Sequence, residues 1–165
     1  MNTSRVSSFA AVLAASFALV AGLACHSGPV RAEAPPEDIA EILAEAAQVC
    51  RTSGGKADTA AILRSDDLNG DGRADWIADF SKLQCDGAPN PACNDSGCTL
   101  QLYYWDGEAG WDLVFEDFAK SYKFSSSGET RTMHVTTSGI PCNKPIEETC
   151  TYTYRLEKET VVPVQ

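Results

Sequence analysis

Leu100-Gln101-Leu102-Tyr103-Tyr104-Trp105-Asp106-Gly107-Glu108-Ala109-Gly110-Trp111-Asp112-Leu113-Val114-Phe115-Glu116 reads as a β-hairpin. Leu100, Leu102 and Tyr104 alternate with Gln101 and Tyr103, the period of two that sends successive side chains to opposite faces of a strand. Asp106 to Gly110 supplies a turn, and Trp111, Leu113 and Phe115 then alternate with Asp112, Val114 and Glu116. The same pattern extends downstream. Phe118, Tyr122 and Phe124 precede the Ser125-Ser126-Ser127-Gly128 turn, with Met133 and Val135 after it. Cys150, Tyr152, Tyr154 and Leu156 share one face of the next strand, and Val161 to Val164 close the chain. Pro163 cannot donate to a ladder, which confines that last segment to an edge. Upstream, Trp76-Ile77-Ala78-Asp79-Phe80 is apolar enough for one more strand. Six or seven short strands joined by tight turns predict an antiparallel meander with one face packed and one wet. No internal repeat of ~40–50 residues is present, which excludes a propeller.

A single helical pattern precedes the strands. Pro35-Pro36-Glu37-Asp38 opens it, with two acids where the helix dipole favours negative charge. Ile39, Ile42, Leu43, Ala46, Val49 and Cys50 follow a period near 3.6, while Glu41, Glu45 and Gln48 face away. Gly54-Gly55 ends it. The expected fold is therefore α+β: one N-terminal helix packed on an antiparallel β-meander, stabilised by disulfides. Ser53-Gly54-Gly55-Lys56 lacks the spacing of a phosphate-binding loop and follows a helix instead of a strand. An acidic polar face also argues against a peripheral membrane helix.

Residues 1–32 read as an export signal. Arg5 precedes an apolar run from Phe9 to Ala24, shorter than the ~20 residues needed to span a bilayer as a helix. Val30-Arg31-Ala32 offers small residues for cleavage before Glu33, leaving 33–165 as a single exported domain. Gly22-Leu23-Ala24-Cys25 resembles a lipoprotein box and offers the alternative of a lipid anchor at Cys25. No other segment is apolar enough to cross a membrane. Removing or lipidating Cys25 leaves Cys50, Cys85, Cys93, Cys98, Cys142 and Cys150, an even set suited to three disulfides in an oxidising compartment. Six thiols allow 15 pairings. Proximity suggests Cys93 with Cys98 and Cys142 with Cys150, leaving Cys50 for Cys85. Zinc is the rival use, but Cys93 and Cys98 stand at C-x₄-C with no second pair.

Net charge is −10, and losing Arg5 and Arg31 makes it about −12. Such a surface repels phosphate backbones, and no basic patch with interleaved aromatics offsets it. Nucleic acid is excluded as a partner on that ground. Two Pro/Gly-laden, cysteine-bearing stretches, 84–98 and 139–146, read as loops at the same end of the sheet.

Asp67-Leu68-Asn69-Gly70-Asp71-Gly72-Arg73-Ala74-Asp75 states the chemistry. Oxygen side chains stand at 67, 69, 71 and 75, a spacing that suits Ca²⁺ with its six to eight oxygen ligands. Gly72 permits the sharp turn, Arg73 would give its backbone carbonyl, and Asp75 would bind directly or through a water. The opening resembles EF-hand and dockerin loops. In an EF-hand a bidentate Glu stands at loop position 12, which here is Ala78. The nearer likeness is to FG-GAP and VCBS-type repeats, whose Asp-x-Asn-Gly-Asp-Gly-x-x-Asp loops lead into a hydrophobic strand. That resemblance covers about a dozen residues, occurs once, and implies calcium binding. The cysteine spacing is similar to that of small exported bacterial proteins with no assigned activity. The simpler alternative for 67–75 is a metal-free turn, since Asn-Gly and Asp-Gly favour turns by themselves.

Catalytic candidates are few. His134 alternates with Met133 and Val135 and reads as a solvent-facing strand residue. Neither G-x-S-x-G nor H-E-x-x-H occurs. The expectation is an exported, periplasmic or secreted, calcium-binding and disulfide-stabilised domain. It would act as a binding or structural module toward an unknown protein or envelope ligand. The alternative is a carboxylate-dependent hydrolase whose site the calcium loop supports.

Overall fold

The expected hairpin is present, with β6 (Gly97–Trp105) and β7 (Trp111–Ala119) paired antiparallel along their length. The computed structural model describes residues 35–164 apart from Ala109. The export signal, the cleavage point after Ala32 and the lipid alternative at Cys25 lie outside the described residues. Before the hairpin come α1 (Glu37–Thr52), β1 (Lys56–Asp58), β2 (Leu63–Asp66), β3 (Asp75–Asp79), β4 (Gln84–Asp86) and β5 (Cys93–Asn94). After it come β8 (Ser121–Ser127), β9 (Thr130–Ser138), β10 (Thr149–Leu156) and β11 (Val161–Pro163). The class is one helix with antiparallel strands, as expected.

The strands number eleven among the described residues, not six or seven, and they form three sheets instead of one meander. All seven expected strands occur. The four additions are short: β1 and β4 pair with each other, β2 edges β3, and β5 sits beside the first residues of β6. Their sequences, Lys-Ala-Asp, Leu-Arg-Ser-Asp, Gln-Cys-Asp and Cys-Asn, hold no apolar alternation that would register as a strand. The 84–98 stretch, expected to be all loop, holds two of them.

Between β7 and β8 the chain changes sheets. One sheet runs β2-β3-β6-β7, and the other is the meander β8-β9-β10-β11. At the crossover Gly97, with φ +132°, passes so close that a Cβ would overlap the Ala119–Lys120 peptide. Only glycine permits both that φ and that approach.

The two sheets bury a shared core. Ile77, Leu100, Leu102, Tyr104 and Phe115 come from the first, and Met133, Val135 and Leu156 from the second. Fully burying each such side chain is worth roughly 1.5–3 kcal/mol. Phe115 stacks edge-on against Tyr154 across the layers, with ring centres 5.0 Å apart. Along the other margin the Tyr122 hydroxyl donates to Asp79 Oδ2 at 3.1 Å, and the Arg64 guanidinium lies over the Tyr122 and Phe124 rings. The helix covers the opposite face of the first sheet, where Ile42, Leu43 and Ala46 meet Ala78, Phe80, Leu83 and Tyr103. The order of layers is thus helix, sheet, sheet. Sandwiched on both sides, β3 is buried at all five positions. The one-wet-face expectation holds only for the second sheet. Its outer side is a hydroxyl ladder of Ser125 with Thr132 and Thr136 with Thr151.

One alternation is broken. Leu102 faces Phe115, but Tyr103 faces Leu113, so Val114 is an extra residue at a β-bulge. A one-residue slip turns side chains to the other face. Phe115 enters the core while Leu113, expected to share its face, is 49% exposed.

The disulfides join Cys50 to Cys85, Cys93 to Cys98 and Cys142 to Cys150, the pairing that proximity suggested. The first ties the end of α1 to β4, the second is a cross-strand pair between β5 and β6, and the third ties a 3₁₀ turn to β10. The 84–98 stretch meets the end of β9, just before the second cysteine-bearing loop: the Thr137 hydroxyl donates to the Ser96 carbonyl at 3.0 Å, and the Ser96 and Ser138 hydroxyls lie 3.1 Å apart. Three disulfides suit an oxidising, extracytoplasmic compartment. Among the described residues no helix is long and apolar enough to cross a membrane.

Candidate metal centre

The 67–75 loop connects β2 to β3 at one end of the two-sheet core. Its conformation is held by its own carboxylate and amide oxygens. Asp67 accepts from the Gly70 and Gly72 peptides at 2.7 and 3.2 Å. Asn69 Oδ1 accepts from Asp71 N at 3.0 Å, and Asp71 Oδ1 from Arg73 N at 2.7 Å. These successive Asx turns curl the backbone, with Gly70 and Gly72 at φ +82° and +87°. Each such bond uses one lone pair of an oxygen that has more than one.

Asp75 occupies the first position of β3 and is wholly buried. Its Oδ2 accepts from Leu68 N at 2.9 Å and from Asn69 N at 3.4 Å. Its Oδ1 has no hydrogen bond of good geometry among the described residues, although the Trp105 peptide lies near enough to the carboxylate to favour its charge. Burial pushes the carboxyl up to about 6, the Asp71 charge adds to the rise, and the Leu68, Asn69 and Trp105 peptides pull the other way. On the same face of the sheet lies Tyr104, whose buried hydroxyl is likewise unpartnered. Burial and the neighbouring Asp75 charge both raise its pKa. An unpaired buried carboxylate oxygen costs free energy unless a cation or donor meets it.

Of the residues expected to bind metal, Asn69 and Asp75 are buried, Asp67 is half-buried, and Asp71 and Arg73 are exposed. The Arg73 guanidinium lies over the Trp105 ring, 5.7 Å from its centre. Among the described residues no group of three or more His, Cys, Asp or Glu side chains is drawn together as a metal cluster. Beside its carboxylates the 67–75 loop carries the Asn69 amide oxygen and the Arg73 peptide carbonyl, donor types found in hard-cation sites.

The sequence held no signal for the loop's distant partners. Arg131, at the start of β9, donates to the Asp67 carbonyl, and its other terminal nitrogen lies 3.8 Å from Asp67 Oδ2. Asn69 Nδ2 donates to the Lys158 carbonyl at 2.9 Å. The loop leads into the first sheet, while Arg131 lies in β9 and Lys158 in the turn between β10 and β11 of the second, so it staples the layers together. His134 stands apart, its ring nitrogens 3.0 Å from the Thr153 hydroxyl and 3.3 Å from that of Ser125. Those contacts fit a residue of the outer hydroxyl ladder.

These features define a small disulfide-bonded domain of one helix and two layered antiparallel sheets, with an acidic Asx-turn loop joining the layers. No family model, curated protein or solved structure matches the chain.

Proposed function

We propose that this is an exported calcium-binding domain, periplasmic or secreted, in which the 67–75 loop holds Ca²⁺ and so stabilises the fold. The domain then serves as a binding or structural module toward a protein or envelope ligand. The observation that carries the reading is Asp75, a wholly buried carboxylate with one oxygen unpartnered at the mouth of a loop rich in oxygen donors. Side-chain oxygens of Asp67, Asn69, Asp71 and Asp75, with the Arg73 carbonyl, would hold the ion. The resemblance to FG-GAP and VCBS-type loops supports the same choice of cation. The ion supplies positive charge that offsets the cost of burying Asp75 as an anion. Because Arg131 and Lys158 anchor the loop to the second sheet, ordering the loop also stabilises the contact between layers. The role is structural: a lone loop without paired helices has no EF-hand opening to drive.

A lone loop without a bidentate Glu belongs with extracellular calcium modules, which bind at ~10⁻⁴–10⁻³ M. At 1 mM calcium and a dissociation constant near 0.1 mM, the stabilisation is about 1.4 kcal/mol. Calorimetric melts in 1 mM CaCl₂ and in EDTA test this directly. The parent protein should melt ~3–6 °C higher with calcium. Asp71→Ala should lose that increment, and Glu147→Gln, outside the loop, should keep it. Identical melting points for the parent in both buffers would make the loop a metal-free turn.

A further inference from the structure

The outer face of the first sheet is only partly covered by α1. Beside the helix lies a groove of about 330 Å³, floored by Phe80, Leu83, Ala92 and Tyr103 and walled by Ile42 and Val49. Its volume lies at the lower end of the small-molecule range, and its lining mixes apolar and polar groups. Val49 belongs to the apolar stripe of α1 yet is 43% exposed, because the stripe overhangs the groove instead of closing it.

Polar groups occur at two places. On the strand wall Gln101 lies opposite Glu116, and a chain of bonds crosses the sheet surface. The Tyr103 hydroxyl donates to Gln101 Oε1 at 2.8 Å, and Gln101 Nε2 donates to Glu116 Oε2. That chain fixes the Glu116 carboxylate at the groove's edge. On the helix side Glu45, expected from the helical period to face away and exposed in the structure, also lines the groove. Both glutamates line this one groove, and burial pushes the Tyr103 phenol up to about 12, with the charges of Glu116 and Glu45 both adding to the rise. Among the described residues no lysine or arginine forms an ion pair with either.

We propose that this groove binds a small organic cation: an apolar body seated on Phe80, Leu83 and Tyr103, with one ammonium group between Glu45 and Glu116. Charge complementarity selects that occupant. An anionic ligand would meet two carboxylates and no cation, and a neutral one would leave both without a counter-charge. The aromatic face of Tyr103 adds attraction for an ammonium group. The site is separate from the 67–75 loop and does not depend on the calcium reading.

The test uses three isosteric probes: 4-phenylbutylamine, 4-phenyl-1-butanol and 4-phenylbutyrate. Each is titrated into the ¹⁵N-labelled exported chain, with calcium and with EDTA, and followed by amide chemical shifts. The amine should give saturable shifts confined to residues 42–49, 80–83, 91–103 and 116. It should bind about tenfold tighter than the alcohol, as two partly exposed ion pairs provide, with no saturable binding of the carboxylate. Glu45→Gln/Glu116→Gln should bring the amine down to the alcohol's affinity while the alcohol's own affinity holds. Dispersion of the variant's spectrum reports that it is folded. The proposal is overturned if the amine does not saturate, if its shifts spread over the acidic surface, or if amine and alcohol bind the parent equally.

Discussion

Replacing Asp75 with Asn should stabilise the metal-free protein and abolish its response to calcium. The side chain is wholly buried, and burial moves its pKa from 3.8 to about 6. The folded state therefore holds a proton at Asp75 more tightly than the unfolded chain does. Below pH ~4 the carboxyl is neutral in both states and costs nothing. As pH rises from ~4 to ~6 the unfolded chain ionises first, and the folded state loses about 3 kcal/mol, all of it lost above that window. Asn keeps an oxygen for the Leu68 peptide but carries no charge. Its NH₂ group must find an acceptor, which returns part of the gain. The net advantage in EDTA at pH 7.5 should be about 1–2 kcal/mol, some ~3–8 °C in melting temperature. At pH 4.5 the gap should shrink to a third or less, because the parent is then largely protonated. With 1 mM calcium the parent should rise and the variant should not. Differential scanning calorimetry under the three conditions reads all of this. A variant less stable than the parent in EDTA at pH 7.5 would refute the claim that the buried charge is a cost that the cation relieves.

Among the disulfides, the Cys50–Cys85 pair, 35 residues apart, restricts the unfolded chain most. Cys50→Ala/Cys85→Ala should cost about 4 kcal/mol and Cys93→Ala/Cys98→Ala, across 5 residues, about 2 kcal/mol. Urea unfolding ranks them, and a larger loss for the second pair would contradict the loop-closure account. Gly128→Ala, with open space around it but φ +61°, should cost the ~1–2 kcal/mol of a left-handed backbone, and Gly97→Ala should cost more than that, since its side chain must also displace the crossover at Ala119–Lys120. Edman sequencing of the exported chain should begin Glu-Ala-Pro-Pro, and a blocked, diacylated terminus at Cys25 would make it a lipid-anchored protein instead.

What was legible in the sequence was local. The hairpin 100–116, the three strands β8 to β10 and the helix at 37–52 each carry their period over seven or more residues, long enough to stand out from composition. The cysteine pairs at 93/98 and 142/150 are close along the chain, and the 67–75 loop folds on itself through bonds spanning two to seven residues. The division into two sheets was not legible, because it hangs on Gly97 fitting beneath a peptide some twenty residues away. Nor was the bulge at Val114, since a strand with one extra residue shows the same apolar letters as a regular one. Reading Leu113 and Phe115 onto one face follows from strict alternation and fails where the ladder slips.

The loop shows the same boundary within a single site. Which oxygens it offers can be read from Asp67 to Asp75, because a cation loop must bring its ligands together within one turn of chain. What the loop does for the rest of the fold depends on Arg131 and Lys158, which reach it from the far sheet through a guanidinium and a peptide carbonyl. Neither residue differs in kind from any other surface cation of the sequence. Lys158 acts through a backbone oxygen that every residue possesses, so no alternation, spacing or composition marks it. The burial of Asp75 follows likewise from the second sheet lying over β3, and with it the cost of its charge. An exposed Asp at the end of the same nine residues would be a turn residue like many others. Covered by the second layer, with Tyr104 beside it and one oxygen unpartnered, it becomes the group for which a cation has the most to offset.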